Sequence, residues 1–383
     1  MAAAGATATA LVVTLAACNQ GGGGGEESGE TAATPLDIGV ISPLTGATAS
    51  AGQAQACGAL IAADLINAAA ENDGEKVAIH LEDSKGDPAE ASRAAGVLTA
   101  QGILYLGGGL TTGEVAAELP IIADANGITA AGMSQAQSIL TSGAMVSRIM
   151  PDTKVAGSFA ADYLSGEMGA TTVAILSQDI EFSQELTTSV SDALPASVEV
   201  VQQTVPFDDV AFASVIDTML AADPDVIFLT LAGFDKQVAF LRDFGRTGSD
   251  VPILVAPGVL SSTLVDAAGD DADGVYGLDA WNPAIDNAES QEMVAAYAEY
   301  KGGHAECTDE EISNTAMIQY SAVMLYHDAA IEAGTRDTQE VYQTILDGTW
   351  DLPMGSLGFS AEGQAQAQMI VVQAQGGEIV MVG

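Results

Sequence analysis

Basic residues are scarce in this sequence of 383 residues. It contains 10 lysines and arginines against 52 aspartates and glutamates, which gives a formal net charge of −42 at pH 7. A nucleic-acid-binding protein neutralises phosphates with clustered Lys and Arg, so this balance excludes nucleic acid as a partner. It also argues against docking on an anionic membrane surface. We interpret the excess of acids as a hydrated surface, similar in composition to proteins from saline habitats.

Motifs for catalysis and metal binding are also missing. The sequence has no G-x-S-x-G, no CxxC and no HExxH, and its three histidines, His80, His304 and His327, stand outside any motif. The acidic run 270–273 lacks the twelve-residue loop of an EF-hand. The glycines at 107–109 depart from the G-x-G-x-x-G spacing of a dinucleotide site. We therefore expect no metal, no cofactor and no enzymatic activity.

Long apolar runs are confined to the start of the chain. Residues 1–18 are small and apolar and end at Cys18, which is too short for a membrane span and typical of a secretory signal. Leu15 to Cys18 resembles the lipobox of bacterial lipoproteins, in which the cysteine becomes the lipid-modified first residue, although no Lys or Arg precedes the run. An ordinary cleavable signal is the alternative. Residues 19–35 are Gly-rich and acidic, which predicts a flexible tether.

The other two cysteines, Cys57 and Cys307, form an even pair in a chain that we expect to be exported. An oxidising compartment favours a disulfide between them. The alternative is that each is a small buried apolar residue. A count of free thiols distinguishes the two.

After the tether, strand and helix signals alternate, which is typical of parallel sheets covered by helices on both faces. The first group of predicted strands is 38–41, 77–81, 103–106, 128–131 and 145–150, with a helix from about Ala54 after the first strand. The second group is 172–176, 198–205, 226–231, 253–256 and 274–278. The fold class is therefore α/β with two domains.

The last hundred residues have no βαβ repeat of their own. They predict helices at 288–301, 310–333 and 338–347 and short strands at 358–360, 369–372 and 379–382. We expect these elements to complete the two earlier domains, which places 36–154 with about 284–365 in one lobe and 155–283 with about 366–383 in the other. Repeated crossing between lobes makes a hinge.

Ligands of open α/β sheets bind beyond the carboxyl ends of the strands. The loop Ser42–Gly52 lies at such an end, and we expect Leu44 and Thr45 to line it. Thr111 and Thr112 place two hydroxyls at the start of a predicted helix, where free N–H groups and the helix dipole favour an anion such as a carboxylate. The alternative is that one of these threonines only caps the helix.

A resemblance to a known family rests on a succession of segments along the chain. The segments are IGVISPLTG, HLEDSKGDP, GGGLTTGEVAAELP, GITAAGMSQA, SRIMPDT, VAILSQDIEFSQEL and PDVIFLTLAGFDKQVAFLRDFG. In order and spacing they resemble the branched-chain amino-acid-binding proteins of ABC transporters, which have the periplasmic-binding-protein type I fold. The resemblance covers the chain after the tether. It implies two Rossmann-like lobes, three hinge crossings and a ligand held in the cleft between the lobes.

The resemblance also implies roles for individual residues. The first lobe would hold a substrate carboxylate, and the second would cover the ligand with aromatic side chains. The matching positions are Thr111, Thr112, Ser134, Gln135 and Ala136 in the first lobe, and Phe182, Phe234, Pro257 and Gly258 in the second. Ser134 would replace a hydroxyl expected near Ala136, and Trp281 would either line the cleft or pack beneath it.

One departure concerns the ligand. Amino-acid binders of the family place an acid where this chain has Pro257-Gly258. Either the ligand has no ammonium group, as in an amide or a carboxylate, or another acid serves. Asp179, Asp235 and Asp279 are the candidates.

The function expected from these features is that of a monomeric, exported, solute-binding protein, tethered by a lipid on the outer face of the cytoplasmic membrane. It would capture a small polar molecule, an amino acid, amide or relative, by hinge closure and deliver it to the permease of an ABC importer. A ligand-sensing domain that feeds a signalling partner is one alternative. An enzyme that uses the same cleft is another.

Overall fold

The first apolar run of the sequence forms β1, Leu36–Ser42, in the computed structural model, which describes residues 34–70, 74–308 and 312–382. Ile38, Val40 and Ile41 of this strand are fully buried, as in a strand covered by helices on both faces. The predicted signal sequence, Cys18 and nearly all of the tether lie outside the described residues. No helix among the described residues is long and apolar enough to cross a membrane.

Five parallel strands form the first sheet, in the order β2-β1-β3-β4-β5. The strands after β1 are β2 (Val77–Asp83), β3 (Tyr105–Gly108), β4 (Ile128–Ala130) and β5 (Met145–Ser147). The helices between them are α1 (Ala49–Ala69), α2 (Pro88–Ala100), α3 (Thr112–Asp124) and α4 (Gln137–Leu140).

Helix α1 begins at Ala49, five residues before the predicted start at about Ala54. Gly52 lies in its first turn against the loop that leaves β1, where a Cβ atom would meet the Pro43 carbonyl oxygen at 2.1 Å. The close approach of this backbone explains why the helix can start so soon after the strand.

The second sheet has seven strands, in the order β14-β13-β10-β9-β8-β6-β7. Its parallel strands are β6 (Thr172–Gln178), β7 (Glu199–Val205), β8 (Val226–Leu229), β9 (Ile253–Val255) and β10 (Tyr276–Asp279). The associated helices are α5 (Thr153–Asp162, continued by a π turn to Glu167), α6 (Glu181–Ala193), α7 (Ala213–Leu220), α8 (Phe234–Gly245) and α9 (Ser262–Ala268).

The end of the chain is divided between the two sheets. Helices α10 (Ala288–Tyr300), α11 (Asn314–Ala333) and α12 (Thr338–Asp347) and a hairpin of β11 (Thr349–Leu352) and β12 (Gly355–Gly358) share a hydrophobic core with the first sheet. Strands β13 (Ile370–Gln375) and β14 (Glu378–Met381) pair antiparallel beside β10. We call each sheet with the elements on it the first and the second lobe.

The chain passes between the lobes three times within the described residues, at 148–152, 280–287 and 359–369. The first and third crossings run side by side, since Arg148 and Gln364 form a parallel bridge. Short paired segments of this kind act as a hinge between rigid bodies.

A disulfide joins Cys57 of α1 to Cys307, with the Cα atoms 4.9 Å apart. His304 lies three residues before Cys307 and its Nε2 is 2.7 Å from Asp64 Oδ2, also on α1. The loop after α10 is thus attached to α1 at two points.

The two α/β lobes with largely parallel sheets confirm the predicted fold class, and the differences lie in single elements. The strand predicted at 103–106 begins two residues later, because Ile103 and Leu104 only lead into β3. The strand predicted at 358–360 is wrong: the strands here are 349–352 and 355–358, and they pair with each other as a hairpin. The predicted 369–372 strand begins one residue later and runs on to Gln375.

Candidate functional site

Two neighbouring strands of the first sheet place hydroxyl groups together at their carboxyl ends. Thr112 is the first residue of α3, after β3, and Ser134 follows β4. The Ser134 hydroxyl donates a hydrogen bond of 3.3 Å to Thr112 Oγ1, and Ser134 is buried. This pair, at the N-terminus of a 13-residue helix, can donate hydrogen bonds to an anion.

Thr111 is the N-cap of α3 and forms a capping box with Glu114. Its hydroxyl accepts from the Glu114 N–H at 3.3 Å and lies 2.9 Å from Glu114 Oε2, which also accepts from the Thr111 N–H at 3.0 Å. The other oxygen of the buried Glu114 accepts from the Ser84 hydroxyl after β2, at 2.6 Å. The side chain of Thr111 therefore stabilises the helix start, and Glu114 fixes that start to the neighbouring loop.

Leu44 and Thr45 lie in the loop after β1, where Asp83 at the end of β2 holds them. Asp83 accepts from the Leu44 N–H at 2.9 Å and from the Thr45 hydroxyl at 2.6 Å. Burial alone would raise the pKa of Asp83. The hydrogen bonds from the Thr45 side chain and from the backbone of Lys85, Thr45 and Leu44 outweigh burial and hold that pKa below its usual value.

Arg148, the first residue of the first hinge crossing, holds the loop Ser134–Ala136 in place. This guanidinium is fully buried, and it donates to the Ala136 carbonyl at 2.6 Å and to Gln364 Oε1 at 2.7 Å. Asp152 lies 3.8 Å from its Nη2. Burial lowers the pKa of Arg148 to about 10, against the opposing effect of Asp152 and Glu185, so the side chain is charged at pH 7. One side chain thus joins a candidate ligand loop to two hinge crossings.

Glu185 of α6 reaches from the second lobe to the same loop region. Its Oε2 accepts from the Gln137 N–H and from the Thr153 hydroxyl, both at 3.1 Å. Gln135 is buried, and its carbonyl accepts from the Thr153 N–H at 3.3 Å. The first lobe's loop after β4 is therefore in direct contact with the second lobe.

The residues predicted in the second lobe lie at the starts of its helices and loops. Phe182 is in the first turn of α6, half-buried against the lobe's core, whereas Phe234 begins α8 and is 44% exposed. Pro257 is buried and Gly258 follows it with φ of +74°. A Cβ atom on Gly258 would lie 2.8 Å from the methyl carbon of Met133 in the first lobe. The loop after β9 therefore lies against the loop after β4 of the first lobe.

The three acids that could replace the missing one differ in their surroundings. Asp179 is exposed and accepts from the Phe207 N–H at 2.7 Å. The side chain of Asp235 is 63% exposed and lies 2.8 Å from Lys236 Nζ. Asp279 ends β10 and is 5% exposed. Trp281, two residues on, is buried in the core of the first lobe and donates to the Ser290 hydroxyl at 2.9 Å, so it packs beneath the cleft.

Arg148, Gln364 and Glu185 are the site residues that sequence reasoning missed. The only sequence signal for Arg148 is that it is one of ten cations in a strongly acidic chain, beside a run of small and apolar residues. Its contact with Gln364 spans 216 positions and leaves no local pattern. Among the described residues, no group of three or more His, Cys, Asp or Glu side chains is placed to hold a metal ion.

The chain belongs to the periplasmic binding protein family, whose model matches residues 35–378. Among curated relatives, it is 23% identical over 338 residues to the leucine-, isoleucine-, valine-, threonine- and alanine-binding protein of Pseudomonas aeruginosa, covering 87% of each chain.

Solved structures share the fold at low sequence identity. The branched-chain amino acid transporter substrate-binding protein LivJ of Streptococcus pneumoniae, in complex with isoleucine, has a TM-score of 0.81 at 20% identity and covers 91% of this chain and 99% of its own. An ABC-transporter solute-binding protein of Rhodopseudomonas palustris, in complex with benzoate, has a TM-score of 0.80 at 20% identity and covers 91% and 96%.

Proposed function

We propose that this chain is the extracytoplasmic solute-binding protein of an ABC importer. The observation that carries the proposal is that the carboxyl ends of the strands of the two sheets face each other, with three hinge crossings between the lobes. In the first lobe these strand ends bear Thr112 and Ser134, and in the second lobe they bear the loop at Gly258. The relatives support the same role, since one is an amino-acid-binding protein and two are transporter binding proteins solved with isoleucine and with benzoate. The ligand class is a small polar molecule with a carboxylate or amide group.

Binding would proceed by closure of one lobe on the other. A ligand held first by the hydroxyls of Thr112 and Ser134 gains contacts with Phe182, Phe234 and the Pro257-Gly258 loop only when the lobes meet. Because these contacts exist only in the closed form, the ligand shifts the population toward it. No bond is made or broken in this step.

The proposal extends to the parts of the chain that surround the site. Residues 36–154 with 284–365 would move as one lobe, and 155–283 with 366–383 as the other. The hydrophobic cores divide close to those lines, with the exception of Ala280 and Trp281, which pack in the core of the first lobe, and this division supports the proposal. Cys18 would carry the lipid that tethers an exported, monomeric protein outside the cytoplasmic membrane, within reach of the permease subunits.

A thermal-shift screen tests the binding function. The panel is L-leucine, L-isoleucine, other amino acids, short amides and benzoate, each at high concentration. A ligand at a hundred times its Kd stabilises the folded state by about 2.7 kcal/mol, which raises the Tm measurably. A panel in which no compound shifts the Tm would contradict the proposed function.

A further inference from the structure

A side chain of the second lobe holds the backbone of the first lobe beside the candidate ligand loop. Glu185 lies on α6, and its Oε2 accepts a hydrogen bond of 3.1 Å from the N–H of Gln137, the first residue of α4. The N-cap of α4 is Ala136, whose side chain has no acceptor for the first N–H groups of the helix. The second lobe therefore supplies an acceptor that the first lobe lacks at this helix start.

Two other contacts hold the loop that leads into α4, and both lie at the hinge. The Gln135 carbonyl accepts from the Thr153 N–H at 3.3 Å, and the Ala136 carbonyl accepts from Arg148 at 2.6 Å. Arg148 begins the first hinge crossing and Thr153 follows it. Glu185 lies in the body of the second lobe, 48 positions after the N–H that it binds. Of the three contacts, the one made by Glu185 is therefore the one that a rotation of the lobes separates most.

Helix α6 also carries Phe182, three residues before Glu185. Residues three apart are neighbours on one face of a helix, so a movement of α6 carries both side chains together. Phe182 is the residue proposed to cover the ligand from the second lobe. The loop that Glu185 holds bears Ser134, whose hydroxyl donates to Thr112 in the first lobe. The Glu185 contact and the covering of the ligand therefore form and break in the same motion.

A crevice of about 550 Å³ gives water access to this contact. It is lined by residues of α5 and α6 and by Gln137, and Glu185 forms part of its wall. The Thr153 hydroxyl, which also donates to Glu185 at 3.1 Å, belongs to the second lobe and keeps the carboxylate in place. When the lobes separate, water can hydrate both the carboxylate and the free N–H. The net gain from the bond is then that of one charge-assisted hydrogen bond, roughly ten- to a hundredfold in population.

We propose that Glu185 is an interlobe latch, a positioning residue whose carboxylate stabilises the closed form by binding the Gln137 N–H without contact to the ligand. This role rests on the proposed function. The latch bond is the same whichever ligand is bound, so it raises the affinity for every ligand by the same factor. Because the bond exists only after the lobes meet, it slows the release of ligand and leaves its capture unchanged.

The test is stopped-flow binding, followed by intrinsic fluorescence, of each compound of the thermal-shift panel that binds, beginning with L-leucine, L-isoleucine and benzoate. The variants are Glu185→Ala and Glu185→Gln, and the matched control is Asp192→Asn, an exposed acid farther along α6. Circular dichroism spectra and cooperative thermal transitions like those of the wild type establish that the variants fold.

We expect Glu185→Ala to raise koff by about tenfold or more for each compound, with kon changed by less than about twofold. Glu185→Gln keeps a neutral acceptor for the N–H and should raise koff by only about threefold. The control should match the wild type in both rate constants, because its carboxylate makes no contact with the first lobe among the described residues.

Three outcomes would overturn the latch while the binding function stands. They are an unchanged koff for Glu185→Ala, a slower kon in its place, and a loss that differs by more than about threefold between compounds, which would mean direct contact with the ligand.

If the wild type binds no compound of the panel, the proposed function fails, and hydrogen exchange of the ligand-free protein tests the contact by itself. Exchange is followed by mass spectrometry on peptides that contain Gln137. Its amide should exchange at least about tenfold faster in Glu185→Ala than in the wild type. Equal exchange rates would overturn the latch.

Discussion

Replacing Arg148 with methionine should destabilise the protein by breaking the contact that joins a ligand loop to the hinge. The guanidinium donates to the Ala136 carbonyl at 2.6 Å and to Gln364 Oε1 at 2.7 Å, in a fully buried setting. Each acceptor left without a donor costs about 1–3 kcal/mol. Methionine avoids the desolvation of a buried cation, which offsets part of that loss. We expect a net loss of about 2–4 kcal/mol in the free energy of unfolding.

Urea unfolding followed by circular dichroism measures this loss. Arg242→Met is the matched control, since its guanidinium donates to one carbonyl, that of Ala267 at 2.8 Å, at an exposed site. The control should lose no more than about 1 kcal/mol. A loss below about 1 kcal/mol for Arg148→Met, with an unchanged m-value, would refute the idea that this side chain fixes the hinge.

Three further predictions concern the disulfide, the charge and the cleft. Cys57→Ser with Cys307→Ser should lower the free energy of unfolding by about 5 kcal/mol, because the bridge closes a loop of 250 residues; free thiols at both positions in the denatured, unreduced wild type would contradict the bridge. The net charge of −42 should make the folded protein repel itself. Raising KCl from about 0.1 M to about 2 M should therefore increase the Tm by at least about 5 °C, because the salt screens this repulsion. A Tm that stays constant or falls would contradict a destabilising effect of the charge. Phe182→Ala should weaken the binding of any hit from the screen by about tenfold or more without lowering the Tm by more than a few degrees; unchanged affinity would remove Phe182 from the site.

The alternation of strands and helices was predictable because the strands are buried on both faces. Runs such as Ile38–Ile41 and Val226–Leu231 are apolar over several consecutive residues. Such runs are typical of strands in parallel sheets, because both faces of the strand are buried. The ends of strands were less predictable. Ile103 is buried, at 4% exposure, but in the loop before β3, and burial alone does not distinguish a strand from the approach to it.

The missed hairpin had a readable signal. In Thr349–Leu352 buried and exposed residues alternate, and Gly355 with φ of +112° follows Pro353-Met354. A strand period of two followed by a Pro- and Gly-bearing turn is typical of a hairpin. The predicted elements left residues 348–357 unassigned, between a helix that ends at 347 and a strand that begins at 358.

The sequence was enough to predict which loops form the candidate site, but not which side chains hold those loops in place. That Thr112 and Ser134 come together follows from adjacent parallel strands whose ends share one edge. That Thr45 is held by Asp83, and that Trp281 packs into the first lobe's core, depends on partners and packing that a linear pattern does not reveal. Arg148 and Asp279 differ from most of the described charged residues in being buried, and their burial is visible only in the structure.

The most direct test of the central claim, that a bound ligand closes the two lobes, is small-angle X-ray scattering of the purified protein with and without a saturating hit from the screen. We expect a smaller radius of gyration in the presence of ligand, because contacts with both lobes exist only when the cleft is shut. Scattering curves that superimpose while calorimetry shows one ligand bound per chain would contradict closure as the mechanism of capture.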